Sequence, residues 1–77
     1  SNPAIMAGPQ LDEILSKAIA YTGADNAVLD SIMQSGEYYI HCYDDMGDHT
    51  ATVNWLTIDP STKTGYDMNG NYVDFSR

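Results

Sequence analysis

The segment from Asp44 to His49 gathers metal-binding side-chain types within a short stretch of chain. Asp44, Asp45 and Asp48 supply three carboxylates, and His49 adds an imidazole. Such oxygen and nitrogen ligands suit Ca²⁺ or a transition metal. The spacing nevertheless differs from an EF-hand loop, which needs a glycine at its sixth position and a glutamate at its twelfth. We expect a solvated turn here and retain these residues only as weak metal candidates.

A second candidate loop begins at Asp67. Oxygen-bearing side chains alternate at Asp67, Asn69 and Asn71, as they do in a calcium loop. Gly70, however, is misplaced for the sharp turn of such a loop, and the dipeptide Asn69-Gly70 favours a hairpin turn. A hairpin explains the segment without a metal, so we expect neither a resident metal nor another cofactor.

Cys42 is the only cysteine, which excludes an internal disulfide and a zinc site built from several cysteines. A nucleophilic thiol needs an imidazole within hydrogen-bond reach. His41 is adjacent in a predicted strand and must point to the opposite face, whereas His49 lies across a predicted hairpin and could approach. A lone cysteine in such a strand is typical of a small buried side chain. We therefore expect no enzymatic activity.

Aromatic residues are the strongest binding feature of the chain. Six tyrosines and one tryptophan are present, and several alternate along predicted strands. Rings on one sheet face form a platform for a glycan or a peptide. The predicted platform consists of Tyr39, Tyr43, Trp55 and Tyr66.

A helix and a small sheet are predicted to position these residues. Apolar residues recur at helical spacing at Leu11, Ile14, Leu15, Ala18 and Ile19. This pattern predicts an amphipathic helix from Gln10 to a stop at Gly23. Asp12 and Glu13 are expected in its first turn, and Lys17 is expected to pair with Glu13.

Residues 24–36 fit two interpretations. A second short helix, capped by Asp25 and ended by Gly36, would bury Val28, Leu29, Ile32 and Met33. A strand would place Val28, Asp30 and Ile32 on one face, which would bury an aspartate. The helix is favoured for this reason, and the strand remains the alternative.

Strands are predicted at residues 37–43 and 49–58, with shorter ones at residues 64–67 and 72–75. In the first, Tyr38, Ile40 and Cys42 share one face, and the residues between them share the other. The predicted fold class is α+β: one or two N-terminal helices packed on a three- to four-stranded antiparallel sheet. Residues 1–9 are expected to form a flexible leading segment with Ser1-Asn2 as a tag remnant, and residues 10–77 a single small domain.

The charge narrows the range of partners. Eleven acidic residues against three basic ones make the formal charge −8. Binding to nucleic acid or to an anionic membrane surface needs clustered Lys and Arg, so neither is expected as a direct partner. No apolar run approaches the ~18 residues that a membrane-spanning helix needs.

A sequence resemblance adds a cellular context. Residues 48–52 (DHTAT), Trp55 and residues 58–65 resemble a hairpin in small C-terminal domains of surface lipoproteins and secreted proteins of Gram-positive bacteria. The ending is also similar to PepSY-type modules, although Lys63 lengthens the Ile-Asp-x-x-Thr-Gly turn. The resemblance covers roughly residues 10–70. It implies a non-catalytic accessory module that is extracellular or attached to the cell surface, with no catalytic residues to carry over.

We therefore expect a binding module that contacts a protein or a cell-wall component. The alternative is an acidic inhibitor or nucleic-acid mimic that binds a basic partner. A homodimer formed by pairing of exposed strand edges is a further expectation.

Overall fold

The computed structural model describes residues 3–77, with side chains from Gln10 onward. Across these residues the elements are one helix, α1 (Pro3–Thr22), and five strands: β1 (Asn26–Ile32), β2 (Tyr38–Asp45), β3 (Thr50–Asp59), β4 (Thr64–Asp67) and β5 (Tyr72–Asp74). The strands form one antiparallel sheet in chain order. The predicted α+β class is confirmed, with one helix and five strands instead of the three or four expected.

The apolar stripe of α1 lies against the sheet, as its spacing predicts. Ile14 and Ala18 are completely buried, and Leu11 and Leu15 pack partly buried against the same core. The predicted stop is also confirmed, since Gly23 follows the last helical residue with φ of 75°. This left-handed conformation is accessible to glycine without a Cβ penalty.

The start of α1 differs from the prediction. The helix begins at Pro3 instead of Gln10, so Asp12 and Glu13 lie in its interior and not in its first turn. The prediction relied on Pro9, because proline is typical of a first helical turn. Ser1 and Asn2 lie outside the described residues, and the flexibility of residues 1–9 stays a prediction.

The preference for a second helix at residues 24–36 was wrong, because Asn26–Ile32 forms strand β1 beside β2. A bulge between Leu29 and Ser31 shifts its register. Val28, Asp30 and Ile32 are all exposed, and Leu29 packs against the core. The objection that a strand would bury Asp30 fails because the bulge leaves Asp30 without a partner in β2 and exposed to solvent.

The core lies between α1 and the inner face of the sheet. Tyr38, Ile40 and Cys42 are buried there, which confirms that they share the inner face. The core also contains Leu56 and Ile58 of β3, Val73 of β5, and Phe75 of the segment after β5. The outer face of the sheet has no helix on it and is open to solvent in the described part of the chain.

The turns and edges complete the architecture. Asn69-Gly70 forms the turn between β4 and β5, with Gly70 at φ of 83°. The edge strands, on which the expected homodimer depends, are β1 and β5. The bulge in β1 and the short length of β5 are both features that discourage edge pairing. Among the described residues, no helix is long and apolar enough to cross a membrane.

Candidate functional site

The outer face of the sheet collects aromatic side chains from four strands. Alternation along β2 directs Tyr39, His41 and Tyr43 away from the core. The strand register places Trp55 of β3 opposite His41. Tyr66 of β4 and Tyr72 of β5 lie opposite each other on the same side. We call the surface formed by Tyr39, His41, Tyr43, Trp55, Tyr66 and Tyr72 the aromatic face.

Four of these rings form a continuous stack. Trp55 stacks on Tyr39 with ring centroids 4.7 Å apart and on His41 with centroids 4.2 Å apart. His41 in turn stacks on Tyr43 at 5.1 Å. The four side chains are half-buried because they cover one another. Such contacts contribute about 0.5–1.5 kcal/mol per pair beyond area burial, so the stack is held in place before any ligand arrives.

The remaining two rings are more open. Tyr66 and Tyr72 meet edge to face, with centroids 5.8 Å apart and an interplanar angle of 70°. They are 57% and 61% exposed. Thr57 separates this pair from the stack, since it lies opposite Tyr39 on one side and Tyr66 on the other. The face therefore combines a rigid stack with an accessible tyrosine pair.

The structure brings together all four residues of the predicted platform, Tyr39, Tyr43, Trp55 and Tyr66. Their binding role stays a prediction. The predicted platform did not include His41 or Tyr72. Strand alternation alone could have found both, because His41 lies between Tyr39 and Tyr43 and Tyr72 follows the turn after Tyr66.

The segment from Asp44 to His49 makes hydrogen bonds with Asp25 that the sequence does not suggest. The Asp44 carboxylate accepts from the Asp25 N–H at 3.0 Å, and the Asp25 carboxylate accepts from the Asp45 N–H at 3.1 Å. Asp45 also accepts from the Gly47 N–H at 2.9 Å. Asp48 contacts His49 at 2.6 Å. We call Asp25, Asp44, Asp45 and Asp48 the acidic end of the sheet.

The carboxylates of Asp25, Asp44 and Asp45 accept from backbone N–H groups, and that of Asp48 contacts the His49 ring. Among the described residues, no group of three or more His, Cys, Asp or Glu side chains is arranged to hold a metal ion. The metal candidates of this segment stay a prediction.

The loop at Asp67 contains similar hydrogen bonds. Its carboxylate accepts from the Tyr21 hydroxyl at 2.8 Å and from the N–H groups of Asn69 and Asn71, each at 2.9 Å. The Asn71 amide donates to it as well, at 3.2 Å. These donors, above all the Asn71 backbone N–H and the Tyr21 hydroxyl, lower the pKa of Asp67 to about 2. Asn69 and Asn71 thus point hydrogen-bond donors at Asp67, whereas a cation at this position would need oxygen acceptors from them.

Cys42 is not placed for nucleophilic catalysis. Its side chain is completely buried on the inner face, and burial raises the pKa of the thiol, although the Thr22 hydroxyl acts in the opposite direction. His49 lies in the exposed turn after β2 and His41 on the outer face, so neither imidazole serves Cys42. The proposed approach of His49 was therefore wrong.

The three basic residues are all held by other groups. Lys17 donates to the carbonyls of Phe75 at 2.7 Å and Arg77 at 2.6 Å, and its predicted pairing with Glu13 is present at 3.9 Å. Lys63 pairs more closely with Glu13, at 2.6 Å, and this hydrogen bond lowers the pKa of Glu13. Arg77 lies 3.7 Å from Asp74. None of these three side chains therefore pairs with a residue of the aromatic face.

The described residues enclose no pocket, so the open sheet face is the main candidate surface. Comparison with known proteins places the chain in no family: no family model matches it, and neither a curated protein nor a solved structure does so.

Proposed function

We propose that this domain is a non-catalytic binding module of a bacterial cell-envelope or secreted protein, and that it contacts a protein or a cell-wall component through the aromatic face. The observation that carries the proposal is the set of six rings on the uncovered side of the sheet. None of the six rings belongs to the hydrophobic core, because the helix covers only the opposite side of the sheet. Aromatic side chains that are rigid and accessible are those that contribute most to binding interfaces.

The extracellular or cell-surface location is part of the proposal. It is supported by the resemblance of residues 48–52, Trp55 and residues 58–65 to small domains of surface lipoproteins and secreted proteins. The absence of an enzymatic role is supported by the burial of Cys42 and by the carboxylates of Asp44, Asp45 and Asp67, which accept hydrogen bonds from backbone N–H groups.

Co-sedimentation with purified Gram-positive cell walls tests the function. The wild type is compared with a Tyr66→Ser/Tyr72→Ser variant and with Ile32→Ser as a matched control. Ile32 is as exposed as Tyr72, at 61%, and lies outside the aromatic face. We expect the wild type and Ile32→Ser to sediment with the walls and the double variant to remain largely in solution.

Walls stripped of protein distinguish the two partner classes, because a protein partner is lost with that treatment and a wall polymer is not. Equal sedimentation of the wild type and both variants, or of none of the three proteins, would overturn the proposed function.

The alternative, an acidic inhibitor or nucleic-acid mimic, is supported by the acidic end. The four carboxylates there have no Lys or Arg partner in the described structure. In that case Asp44→Asn/Asp45→Asn would abolish binding to a basic protein and Tyr66→Ser/Tyr72→Ser would leave it intact.

A further inference from the structure

The charge near the aromatic face narrows the chemistry of its partner. The chain carries a formal charge of −8, and its three basic side chains are engaged by carboxylates and carbonyls, as described above. Strand alternation places Asp45, two residues after Tyr43, and Asp59, two residues after Thr57, on the side of the sheet that carries the rings. The surface around the rings therefore has negative charge and no basic side chain to offset it. Such a surface repels polyanions and raises the local concentration of cations.

The stack runs directly into the acidic end. Asp45 follows Tyr43, the last ring, by two residues in β2 and lies on the same side of the sheet, whereas Asp44 between them points to the other side. One continuous surface thus carries rings over its centre and the Asp45 carboxylate at its margin. A chain lying along β2 would meet the rings and then the negative charges.

The rings themselves favour a cation. Aromatic faces carry negative charge density and attract a Lys or Arg side chain within about 6 Å of the ring centroid. Because Tyr66 and Tyr72 meet edge to face, each has at least one ring face that its partner does not cover. Arg, which is planar, stacks especially well on such faces.

We infer that the occupant of the aromatic face is a cationic protein segment, an extended peptide whose Arg or Lys side chains lie on the rings while its remaining charges face the acidic end. This inference rests on the proposed function and specifies its partner. A neutral glycan would gain nothing from the acidic margin, and an anionic wall polymer would be repelled by it.

The test uses Trp55, the only tryptophan of the chain, as a fluorescent reporter within the stack. The protein is titrated with a short oligo-arginine peptide, an oligo-glutamate peptide and a neutral peptidoglycan fragment. We expect a saturable change in emission with oligo-arginine alone. The change should weaken as salt is raised, because charge attraction at an exposed surface is screened.

Variants locate the binding surface. Removing one exposed ring, by Tyr66→Ser or Tyr72→Ser, should weaken oligo-arginine binding about two- to fivefold, the equivalent of one exposed cation–π contact. Ile32→Ser should bind like the wild type. Circular dichroism confirms that each variant is folded before it is titrated.

Two results would overturn the inference. If the neutral fragment binds and oligo-arginine does not, the partner is not cationic, while the proposed function still stands on the wall-binding result. If oligo-arginine binding is lost in Asp44→Asn/Asp45→Asn and unchanged in both tyrosine variants, charge alone recruits the peptide and the rings play no part.

Discussion

The approach of β4 to β3 at Gly65 leads to a sharp prediction for Gly65→Ala. Gly65 is buried and lies opposite Ile58 of β3 and Val73 of β5. An alanine Cβ at this position would lie 1.7 Å from the Thr57 carbonyl oxygen and 2.8 Å from the carbonyl carbon. Both atoms belong to the backbone, so no side-chain rotation relieves the overlap.

The size of the effect follows from the displacement that the methyl group requires. Bringing the Cβ to the 3.0 Å limit of real contacts separates the two strands by about 1.3 Å, which is enough to break a normal hydrogen bond. Leaving two buried backbone groups unpaired costs about 2–6 kcal/mol. A chain of this length has a total stability of about 4–12 kcal/mol. We therefore expect Gly65→Ala to lose at least about 3 kcal/mol and to lower Tm by at least about 12 °C.

Gly70→Ala is the matched control. Gly70 also requires glycine, but for its φ of 83°, and no atom lies within 4 Å of an added Cβ. This change should cost only the left-handed strain of about 1–2 kcal/mol. Thermal and urea unfolding followed by circular dichroism measure both variants. If Gly65→Ala proves as stable as Gly70→Ala, the strands are not held as closely as the structure shows and the argument for this pairing fails.

Three further predictions concern the core, the pH dependence and the thiol. Ile14→Ala should lower the free energy of unfolding by about 2–5 kcal/mol, because Ile14 is completely buried between helix and sheet; an unchanged urea midpoint would show that α1 is not docked. Asp67 has a pKa of about 2 in the folded state against 3.8 as its ordinary value, so its stabilisation is complete above pH 3.8 and is lost as the pH falls towards 2. The urea midpoint should fall over this interval, less steeply in Asp67→Asn, and equal slopes would contradict the assignment. Cys42 should react with a thiol reagent only when urea unfolds the protein, since burial raises its pKa and blocks access; rapid labelling of the native protein would refute its placement.

The expectations that rested on local pattern were largely met. The stripe through Ile14 and Ala18, the stop at Gly23 and the turn at Asn69-Gly70 each depend on spacing or on a single residue type that favours one backbone conformation. The alternation in β2 likewise separated the buried residues from Tyr39 and Tyr43.

Local sequence patterns did not predict the structure where contacts with residues distant in the chain determine it. Residues 26–32 form a strand because β2 is available to pair with them, and the bulge leaves Asp30 unpaired and exposed. Their sequence alone favours a helix. The contact of Asp25 with Asp44 has the same origin.

The α+β class, the apolar face of the helix and the excess of negative charge could all be predicted from the sequence, because each is a property of composition or of short-range periodicity. Two other features became visible in three dimensions alone: the His41 ring lies between Trp55 and Tyr43 in one stack, and Asp67 is satisfied by Tyr21 and its own loop. Both depend on strand register and on helix docking, in which side chains far apart in sequence are brought within a few ångströms, and no local pattern encodes those distances.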